Sequence, residues 1–506
     1  MPLDDWTLNK GSSTPGTRPG QRIRLQNSNN ADYTNNTYTN NTYPNNTYPN
    51  STYPDNASMH NHIPQGQESG NIRSRILLGG DLKKGRPLSV PGARTIFTSK
   101  DGSRFTMTEE QYSMHLLLLG GIGSGKTNVF YKIVDSQKKN MTKDDIMIIF
   151  DSKGDFYKRV PGDVVIGNNS EYRARGHVWN IYGEVMGRIP QSDEHYTYRN
   201  EWDANAKEIM KALFKSRRSS TQPFFADAAA DLIALKMIDT LRRGALEEMN
   251  TYALKQFFND ATVGEYDAFV NRTSPSAKMY YGDGTTPQAL AVFAYINSLM
   301  SSCFIGVFGD VRPQGREFAM RDLVSRKGRK IVLVEYDLGV GEVLGPIYQM
   351  LYDQALKEAL GRSEEEKGNV FLICDEFKLL GALDHIDDGL NMGRSLGVKI
   401  CAGLQNISQL YALYGEDRGK SILSGFSNMF CFRTGDAETR KYISDHFGNN
   451  YTDFELWNDE RDKTHIQREG NVVEQWDVLG LRRGQAIIDV WSDPPRGPFV
   501  FQFDKY

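Results

Sequence analysis

The chain has 506 residues and a formal net charge of −3, so its length allows roughly three domains and its bulk charge does not mark it as a general nucleic-acid binder. Its four cysteines are scattered without a Cys-x-x-Cys pair, which predicts reduced, buried thiols rather than a disulfide framework or a zinc site. No apolar run reaches the ~18 residues of a membrane span, and no signal peptide opens the chain, so we expect a cytoplasmic protein, or one held peripherally at the inner face of a membrane through a partner.

Residues 1–75 differ in composition from everything that follows them. A five-residue unit repeats between Asn35 and Pro54, for example as Asn40-Asn41-Thr42-Tyr43-Pro44, and aliphatic side chains are almost absent. Such a segment buries too little apolar surface to offset its chain entropy. We predict a disordered tail with regularly spaced tyrosines, which acts most simply as a spacer and alternatively as a tyrosine-based interaction arm.

From residue 76 onward the pattern becomes that of a folded domain. Short strands separated by glycine-rich turns are predicted at 76–78, 87–90 and 95–98, and together they form a small β lead-in. Four leucines, Leu116–Leu119, then predict a buried parallel strand that is apolar on both faces.

The next eight residues carry the clearest motif of the chain. They read Gly120-Gly121-Ile122-Gly123-Ser124-Gly125-Lys126-Thr127 and match the phosphate-binding pattern Gly-x-x-x-x-Gly-Lys-[Ser/Thr]. The glycines let backbone N–H groups point at phosphate oxygens, and the following helix aims its positive end at the same anion. Lys126 is predicted to reach the β and γ phosphates, and the Thr127 hydroxyl to bind Mg²⁺. The motif therefore predicts ATP and Mg²⁺ as cofactors, with nucleotide contacts from Gly120, Gly121, Gly123, Ser124, Gly125, Lys126 and Thr127.

A second strand is predicted at 145–150 and ends in the polar sequence Asp151-Ser152-Lys153-Gly154-Asp155. Ligands bind at the carboxyl ends of parallel strands in α/β sheets, although a plain strand-to-helix turn fits the spacing equally well.

Residues 196–323 have a different character, because amphipathic segments such as Trp202–Lys215 and Phe224–Arg242 dominate and strand signals are sparse. We predict an all-helical domain inserted into an α/β core, which then occupies residues 76–195 and 324–506.

The core resumes with a predicted strand at 330–336 and a helix at 344–360. A second motif follows, in which the apolar run 369–374 ends in Asp375-Glu376. This is the Walker B arrangement: Asp375 is predicted to hold Mg²⁺ through water beside Thr127, and Glu376 to orient and polarise the attacking water. Together with a complete phosphate loop, the pair predicts an ATPase.

Four more strands are predicted at 397–403, 428–432, 487–491 and 499–503. Gln405 follows the first of them, where it could hydrogen-bond the γ phosphate or the attacking water and report the nucleotide state. A helix-initiating polar residue is the alternative at that position. The alternation of strands and helices predicts a twisted, mostly parallel sheet with helices on both faces.

Six motifs in this order resemble the type IV secretion coupling proteins, the TraG/TraD-like conjugation ATPases. They read G-G-I-G-S-G-K-T, F-D-S-K-G-D-F, C-D-E-F-K-L-L, G-R-S-L-G-V, G-L-Q-N-I-S-Q-L with Y-G-E-D, and F-R-T-G-D-A-E-T. The resemblance spans residues 76–503. It implies a RecA-like P-loop NTPase with an all-helical domain, assembled as a homo-hexamer, that recruits a relaxase–DNA complex or other secretion substrate. It further implies that this motor helps to move single- or double-stranded DNA to a type IV secretion channel.

The resemblance also implies roles for particular residues. Lys126 with its glycines matches the family's phosphate loop, Asp375 and Glu376 match its Walker B pair, and Gln405 matches its motif glutamine. Arg394 matches the arginine proposed to reach a neighbouring subunit's nucleotide, where a cation supplied in trans stabilises transition-state charge. Arg433 is the second choice for that role, and either arginine could instead pair with a surface acid.

The chain departs from the family pattern in two places. The family usually opens with transmembrane helices, where this chain has its Tyr-Asn-Thr tail, and D-S-K-G-D lacks the proline common after the first aspartate. Membrane docking would then depend on a separate anchor or on channel components.

Two other functions remain open. One is a HerA/FtsK-like soluble DNA translocase, against which the inserted helical domain argues. The other is a nucleotide-gated adaptor that recruits a relaxase or effector and pumps nothing, for which ATP binding without turnover would suffice.

Overall fold

The computed structural model describes residues 72–82, 89–190, 196–363, 368–457, 463–493 and 495–505. The predicted tail at 1–75 lies almost wholly outside the described residues, as does the first half of the strand predicted at 87–90. The first described element is a strand that includes residues 72–75 of the segment predicted as tail.

The strands of the described residues, numbered in chain order, are β1 (Ile72–Gly79), β2 (Thr95–Thr98), β3 (Arg104–Met107), β4 (Leu116–Leu119), β5 (Ile146–Asp151), β6 (Val164–Ile166), β7 (Val178–Trp179), β8 (Glu317–Phe318), β9 (Lys330–Glu335), β10 (Val370–Cys374), β11 (Val398–Leu404), β12 (Asn428–Phe432), β13 (Asn449–Trp457), β14 (Lys463–Asn471), β15 (Gln485–Asp489) and β16 (Phe499–Gln502). The helices are α1 (Glu109–Ser113), α2 (Lys126–Asn140), α3 (Ser170–Arg173), α4 (Ile181–Met186), α5 (Glu201–Phe214), α6 (Phe224–Arg243), α7 (Thr251–Asp260), α8 (Val263–Thr273), α9 (Pro287–Ser302), α10 (Met320–Arg326), α11 (Gly341–Leu360), α12 (Ile386–Asn391), α13 (Ile407–Tyr414), α14 (Glu416–Ser424), α15 (Ala437–Phe447) and α16 (Gln475–Gly480).

A nine-stranded sheet in the order β16-β15-β12-β4-β11-β10-β5-β9-β6 forms the centre of the molecule. Strands β12 to β6 run parallel, whereas β15 and β16 are antiparallel additions at one edge. The four leucines of β4 divide between two core clusters, with Leu116 and Leu118 on one face and Leu117 and Leu119 on the other. Side chains of a strand alternate between faces, so the sheet is packed on both sides and the predicted mostly parallel α/β sheet is confirmed.

The parallel arrangement determines where a ligand can bind. Because β4, β5, β10, β11 and β12 all run in the same direction, the residues that follow them meet at one edge of the sheet. Both predicted nucleotide motifs follow strands of this set.

Helices α5 to α9 lie together between β7 and β8 in the chain. The segments predicted at 202–215 and 224–242 are α5 and α6, with ends that differ by one residue. Helix α6 is buried around most of its circumference because α5, α8 and α9 all pack against it. Side-chain caps begin the later helices: Asn250 caps α7, Thr262 forms a capping box with Glu265 at α8, and Thr286 caps α9.

The predicted β lead-in divides between two places in the fold. Strands β2 and β3 form a hairpin whose Phe97 and Phe105 pack, with ring centroids 4.5 Å apart, into an aromatic cluster with Phe501 and Phe503. Strand β1 instead pairs antiparallel with β13, which in turn pairs with β14, so these three form a separate small sheet. Local patterning predicts a strand at 76–78, within β1 (Ile72–Gly79), but carries no information about a partner so distant in sequence.

The four cysteines Cys303, Cys374, Cys401 and Cys431 are free and buried, as predicted. None of the helices in the described part of the chain combines the length and the apolar character that a bilayer crossing requires.

The buried His115, which precedes β4, makes the stability of the folded protein depend on pH. Its Nδ1 accepts the Ile400 N–H at 3.1 Å and its Nε2 donates to the Leu390 carbonyl oxygen at 3.1 Å. Burial lowers the pKa of His115 from its usual 6.5 to about 4. The unfolded chain therefore binds a proton at this histidine near pH 6.5, whereas the folded chain binds it only near pH 4. The folded protein consequently loses stability as the pH falls from 6.5 towards 4.

Between pH 7.5 and pH 5 we expect this histidine to remove about 2 kcal/mol from the free energy of unfolding, at 1.36 kcal/mol per pKa unit. Urea denaturation at both pH values measures the loss. In His115→Asn the protein should be less stable at pH 7.5, but the loss between the two pH values should shrink by that amount. His465→Asn, at an exposed histidine, should retain the wild-type pH dependence, and an unchanged pH dependence in His115→Asn would contradict the assignment.

Candidate nucleotide-binding site

The turn between β4 and α2 can close only because it is rich in glycine. A Cβ on Gly120 would lie 2.6 Å from the Phe432 Cβ, which no side chain could tolerate. Gly125 has a φ of +117° and faces the Gly484 backbone, where an added Cβ would come within 2.9 Å of the Gly484 Cα. The loop is anchored by Gly120 N–H donating to the Leu404 oxygen and Gly121 N–H donating to the Arg433 oxygen.

Lys126 begins α2, and its side chain folds back inside the loop. Its Nζ donates to the Gly120 carbonyl at 2.5 Å and to the Gly121 carbonyl at 3.3 Å. Burial lowers the pKa of Lys126, while the nearby charges of Asp375 and Glu376 act in the opposite direction. The ammonium is thus held at the centre of the loop, where its buried positive charge would face an anionic ligand.

Thr127 and Asp375 meet although 248 positions separate them in the chain. The Thr127 Oγ1 donates to the Asp375 Oδ2 at 2.5 Å. Burial raises the pKa of Asp375, and the Thr127 hydrogen bond and the charges of Lys126 and Lys153 partly offset that rise. Hydroxyl and carboxylate oxygens are the ligands that Mg²⁺ prefers, so the donor set fits the predicted metal.

Glu376 and Gln405 also contact each other. Strands β10 and β11 are neighbours with Cys374 opposite Ala402, so the residues just beyond them lie side by side. The Gln405 Nε2 donates to the Glu376 Oε2 at 2.8 Å. The amide fixes the direction of a carboxylate that lies one residue from the predicted metal ligand.

Lys153 belongs to this site, although the sequence indicated only a polar cluster after β5. In the register of β5 and β10, Phe150 lies opposite Cys374, which brings the residues after β5 beside Asp375. The charge of Lys153 acts on both Lys126 and Asp375. Asp151 turns away instead, because its Oδ2 accepts from the Tyr157 N–H and the Tyr172 hydroxyl.

The two candidate arginines lie at opposite ends of the parallel strands. Arg394 lies before the first residue of β11, at the amino edge, with its Nη2 3.4 Å from the Glu110 Oε1 and its guanidinium 5.8 Å from the Trp491 ring centre. The structure therefore does not bring Arg394 to the loop of its own subunit. Arg433 follows β12 beside the loop, which its carbonyl anchors through Gly121, and its side chain is exposed.

Sequence reasoning missed the contribution of the C-terminal segment. The Gly484 N–H donates to the Ser124 carbonyl at 2.7 Å, and the Asn128 Nδ2 donates to the Asp504 carbonyl at 2.8 Å. These segments carry no motif, and they reach the loop because β15 adds antiparallel to β12 and β16 adds antiparallel to β15.

Comparisons with known proteins agree on one family. A family model described as the type IV secretion-system coupling protein DNA-binding domain matches residues 103–461. The coupling protein TraD of Escherichia coli (strain K12) is 20% identical over 346 residues, which cover 65% of this chain and 43% of TraD. Protein VirD4 of Agrobacterium fabrum is 28% identical over 135 residues, which cover 26% of this chain and 20% of VirD4. The chain thus spans less than half of the length of either relative.

Solved structures of the coupling protein TrwB share the fold. The unbound monoclinic form of TrwBdeltaN70 aligns with a TM-score of 0.63 at 17% identity, over 85% of this chain and 95% of that chain. TrwB in complex with ADP and Mg²⁺ aligns with a TM-score of 0.61 at 17% identity, over 87% and 96%. The likeness confirms the predicted RecA-like α/β fold with its helical insertion.

Proposed function

Because this chain belongs to the type IV secretion-system coupling protein family, we propose that it is an ATP-hydrolysing motor. In this proposal it recruits a relaxase–DNA substrate and drives the DNA, single- or double-stranded, to a type IV secretion or conjugation channel. The observation that carries the proposal is the 2.5 Å contact between Thr127 and Asp375, because it joins the phosphate loop to the Walker B strand at one point.

Each residue of the site then has a distinct task. Lys126 would supply positive charge to the phosphates, and Thr127 and Asp375 would hold Mg²⁺, which would supply charge neutralisation at the phosphate oxygens. Glu376 orients the attacking water, and Gln405 fixes the direction of that carboxylate through the 2.8 Å hydrogen bond. The glycines keep the loop narrow enough for its N–H groups to surround an anion.

The division of labour along the chain follows from the same proposal. Residues 76–195 and 324–506 make up the ATPase domain, and residues 196–323 make up the inserted helical domain. We place the protein in the cytoplasm or peripherally at the inner face of the membrane, held there by channel components or by a separate anchor.

ATP turnover with and without DNA tests the motor directly. We expect the purified chain to hydrolyse ATP in the presence of Mg²⁺ and to do so several-fold faster when DNA is added, because transport couples turnover to the cargo. The Asp375→Asn variant, which removes a predicted metal ligand, should abolish both rates. ATP binding without measurable turnover, with or without DNA, would contradict the motor and favour the nucleotide-gated adaptor.

We further infer a homo-hexamer in which Arg394 of one subunit reaches the nucleotide of the next. Arg394 is half-exposed, and its pairing with Glu110 at 3.4 Å is an exposed contact that costs little to break. An arginine supplied in trans accelerates phosphoryl transfer by about 10³ to 10⁵ in other systems.

Mixed rings test the role of Arg394 in trans. Rings of Arg394→Ala subunits lack the arginine supplied in trans, and rings of Lys126→Ala subunits lack the phosphate-loop lysine, so neither variant alone should turn over ATP. In a mixed ring, an intact phosphate loop from an Arg394→Ala subunit can meet Arg394 from a Lys126→Ala neighbour. Mixing the two should restore a measurable fraction of wild-type turnover, whereas mixing Arg433→Ala with Lys126→Ala should restore none if Arg433 acts within its own subunit. No gain in the first mixture would count against Arg394 as the residue supplied in trans.

A further inference from the structure

The direction of a nucleotide in this site follows from the strand order. In the proposed function, Thr127, Asp375 and Glu376 would lie beside the terminal phosphate and its metal, and the contact of Thr127 with Asp375 lies on the β10 side of the loop. Strand β10 lies two positions from β4 on one side, and β15 lies two positions from β4 on the other. With the phosphates placed in this way, the nucleoside would extend away from β10, towards the side of the sheet formed by β12, β15 and β16.

On that side the loop contacts residues 482–484 and 503–504 near the end of the chain, which together form a wall beside it. Strand β15 runs antiparallel to β12, with Ala486 opposite Phe432, so the turn that precedes β15 lies at the same sheet edge as the loop. The Gly484 N–H donates to the Ser124 carbonyl at 2.7 Å, and the Phe503 N–H donates to the Gly484 carbonyl at 2.8 Å. Gly484 has a φ of +77°, which favours glycine at this close approach.

The same wall also holds the first turn of α2. The Asn128 Nδ2 donates to the Asp504 carbonyl at 2.8 Å, and the Thr98 hydroxyl donates to the Asp504 Oδ2 at 2.8 Å. The C-terminal segment thus contacts the loop on both sides of Lys126 and Thr127. Ser124 is 7% exposed, and its Oγ has no hydrogen-bond partner among the described residues, which leaves a buried polar atom at this boundary.

Arg482 and Arg483 lie in the turn that precedes β15. The backbone of Arg482 donates to the Gln485 Oε1 at 3.0 Å, and the carbonyl of Arg483 accepts from the Gln502 Nε2 at 3.2 Å. Both side chains are exposed, and neither guanidinium forms an ion pair with an acidic side chain of the described residues. A fixed backbone with free guanidinium groups suits a contact with a planar base or with ribose hydroxyls.

We propose that Arg482 and Arg483 form the nucleoside-binding subsite, in which a guanidinium stacks on the purine base or donates to the ribose of the bound nucleotide. This inference rests on the proposed ATP-binding function of the same site. It adds two residues outside the phosphate loop and the Walker B strand, and it assigns them to the half of the ligand that the loop does not contact.

Inorganic tripolyphosphate is the probe that separates the two halves of the ligand, because it carries the phosphate chain without a nucleoside. Calorimetric titration with ATP and with tripolyphosphate, both with Mg²⁺, would compare wild type with the Arg482→Ala/Arg483→Ala double variant. We expect the affinity for ATP to fall about 10-fold and the affinity for tripolyphosphate to change less than about 2-fold. The matched control is Arg175→Ala, an exposed arginine near the opposite sheet edge, which should change neither affinity.

Each outcome leads to a separate conclusion. Equal ATP affinity in wild type and double variant would overturn the subsite while leaving the ATPase proposal intact. An equal loss of ATP and tripolyphosphate affinity would place the arginines on the phosphate chain and overturn the nucleoside assignment. Failure of the wild-type protein to bind ATP would instead remove the proposed function itself. Because both arginines are exposed, an unchanged melting temperature is expected and shows that the double variant is folded.

Discussion

Replacing Lys126 by alanine is expected to lower the affinity for ATP by more than about 100-fold and to reduce turnover to background. The side chain is 8% exposed, and its ammonium lies against the Gly120 and Gly121 carbonyl oxygens inside the loop. Charge-assisted hydrogen bonds in a water-poor site contribute more than those at a surface. The alanine variant removes the positive charge of the cradle and leaves its backbone in place.

The Lys126→Ala variant should also remain folded. Burial lowers the pKa of Lys126, so the interior disfavours its charge, and losing that charge offsets part of the loss of its two hydrogen bonds to the loop carbonyls. Thermal unfolding should therefore show a cooperative transition with a melting temperature close to that of wild type. Lys139→Ala, at an exposed lysine near the other end of α2, is the matched control and should bind ATP normally. Unchanged ATP affinity in the Lys126 variant would remove the phosphate-loop assignment.

The part of the site that could be predicted from sequence is the part encoded in short contiguous motifs. Lys126 and Thr127 lie in one eight-residue loop, and Asp375 and Glu376 follow one apolar strand. Parallel strands bring their carboxyl ends to the same edge, so the meeting of Thr127 with Asp375 follows from two local patterns. The contact between Gln405 and Glu376 is not predicted, because it requires β11 and β10 to be neighbours in the sheet, and the sequence relates Gln405 only to the γ phosphate or the attacking water.

The rest depends on contacts that no local pattern encodes. The placement of Gly484 against Ser124 requires β15 to add antiparallel to β12, and the sequence does not reveal strand order. The pairing of β1 with β13 likewise joins segments at opposite ends of the chain. Periodicity predicts that a segment is a strand or a helix, but the partner of a strand is chosen by the packing of the whole domain.

Replacing Glu376 by glutamine is expected to separate ATP binding from ATP turnover. Positioned acid–base groups contribute about 10² to 10⁴ to a rate, so turnover should fall by that factor. Binding should persist, because the amide keeps the shape of the carboxylate and its oxygen can still accept the hydrogen bond from the Gln405 Nε2. The variant should therefore hold ATP with an affinity within about 3-fold of wild type while hydrolysing almost none of it.

The same variant distinguishes the motor from the adaptor in DNA transfer between cells. A motor needs repeated turnover, so Glu376→Gln should abolish transfer even though its nucleotide site is filled. An adaptor needs only the ATP-bound state, so full transfer by this variant would favour recruitment without pumping. The Glu416→Gln substitution, at an exposed carboxylate that pairs with Lys420, is the matched control and should transfer normally. Turnover at the wild-type rate in Glu376→Gln would exclude Glu376 as the residue that orients the attacking water, and Gln405 would lose its proposed role with it.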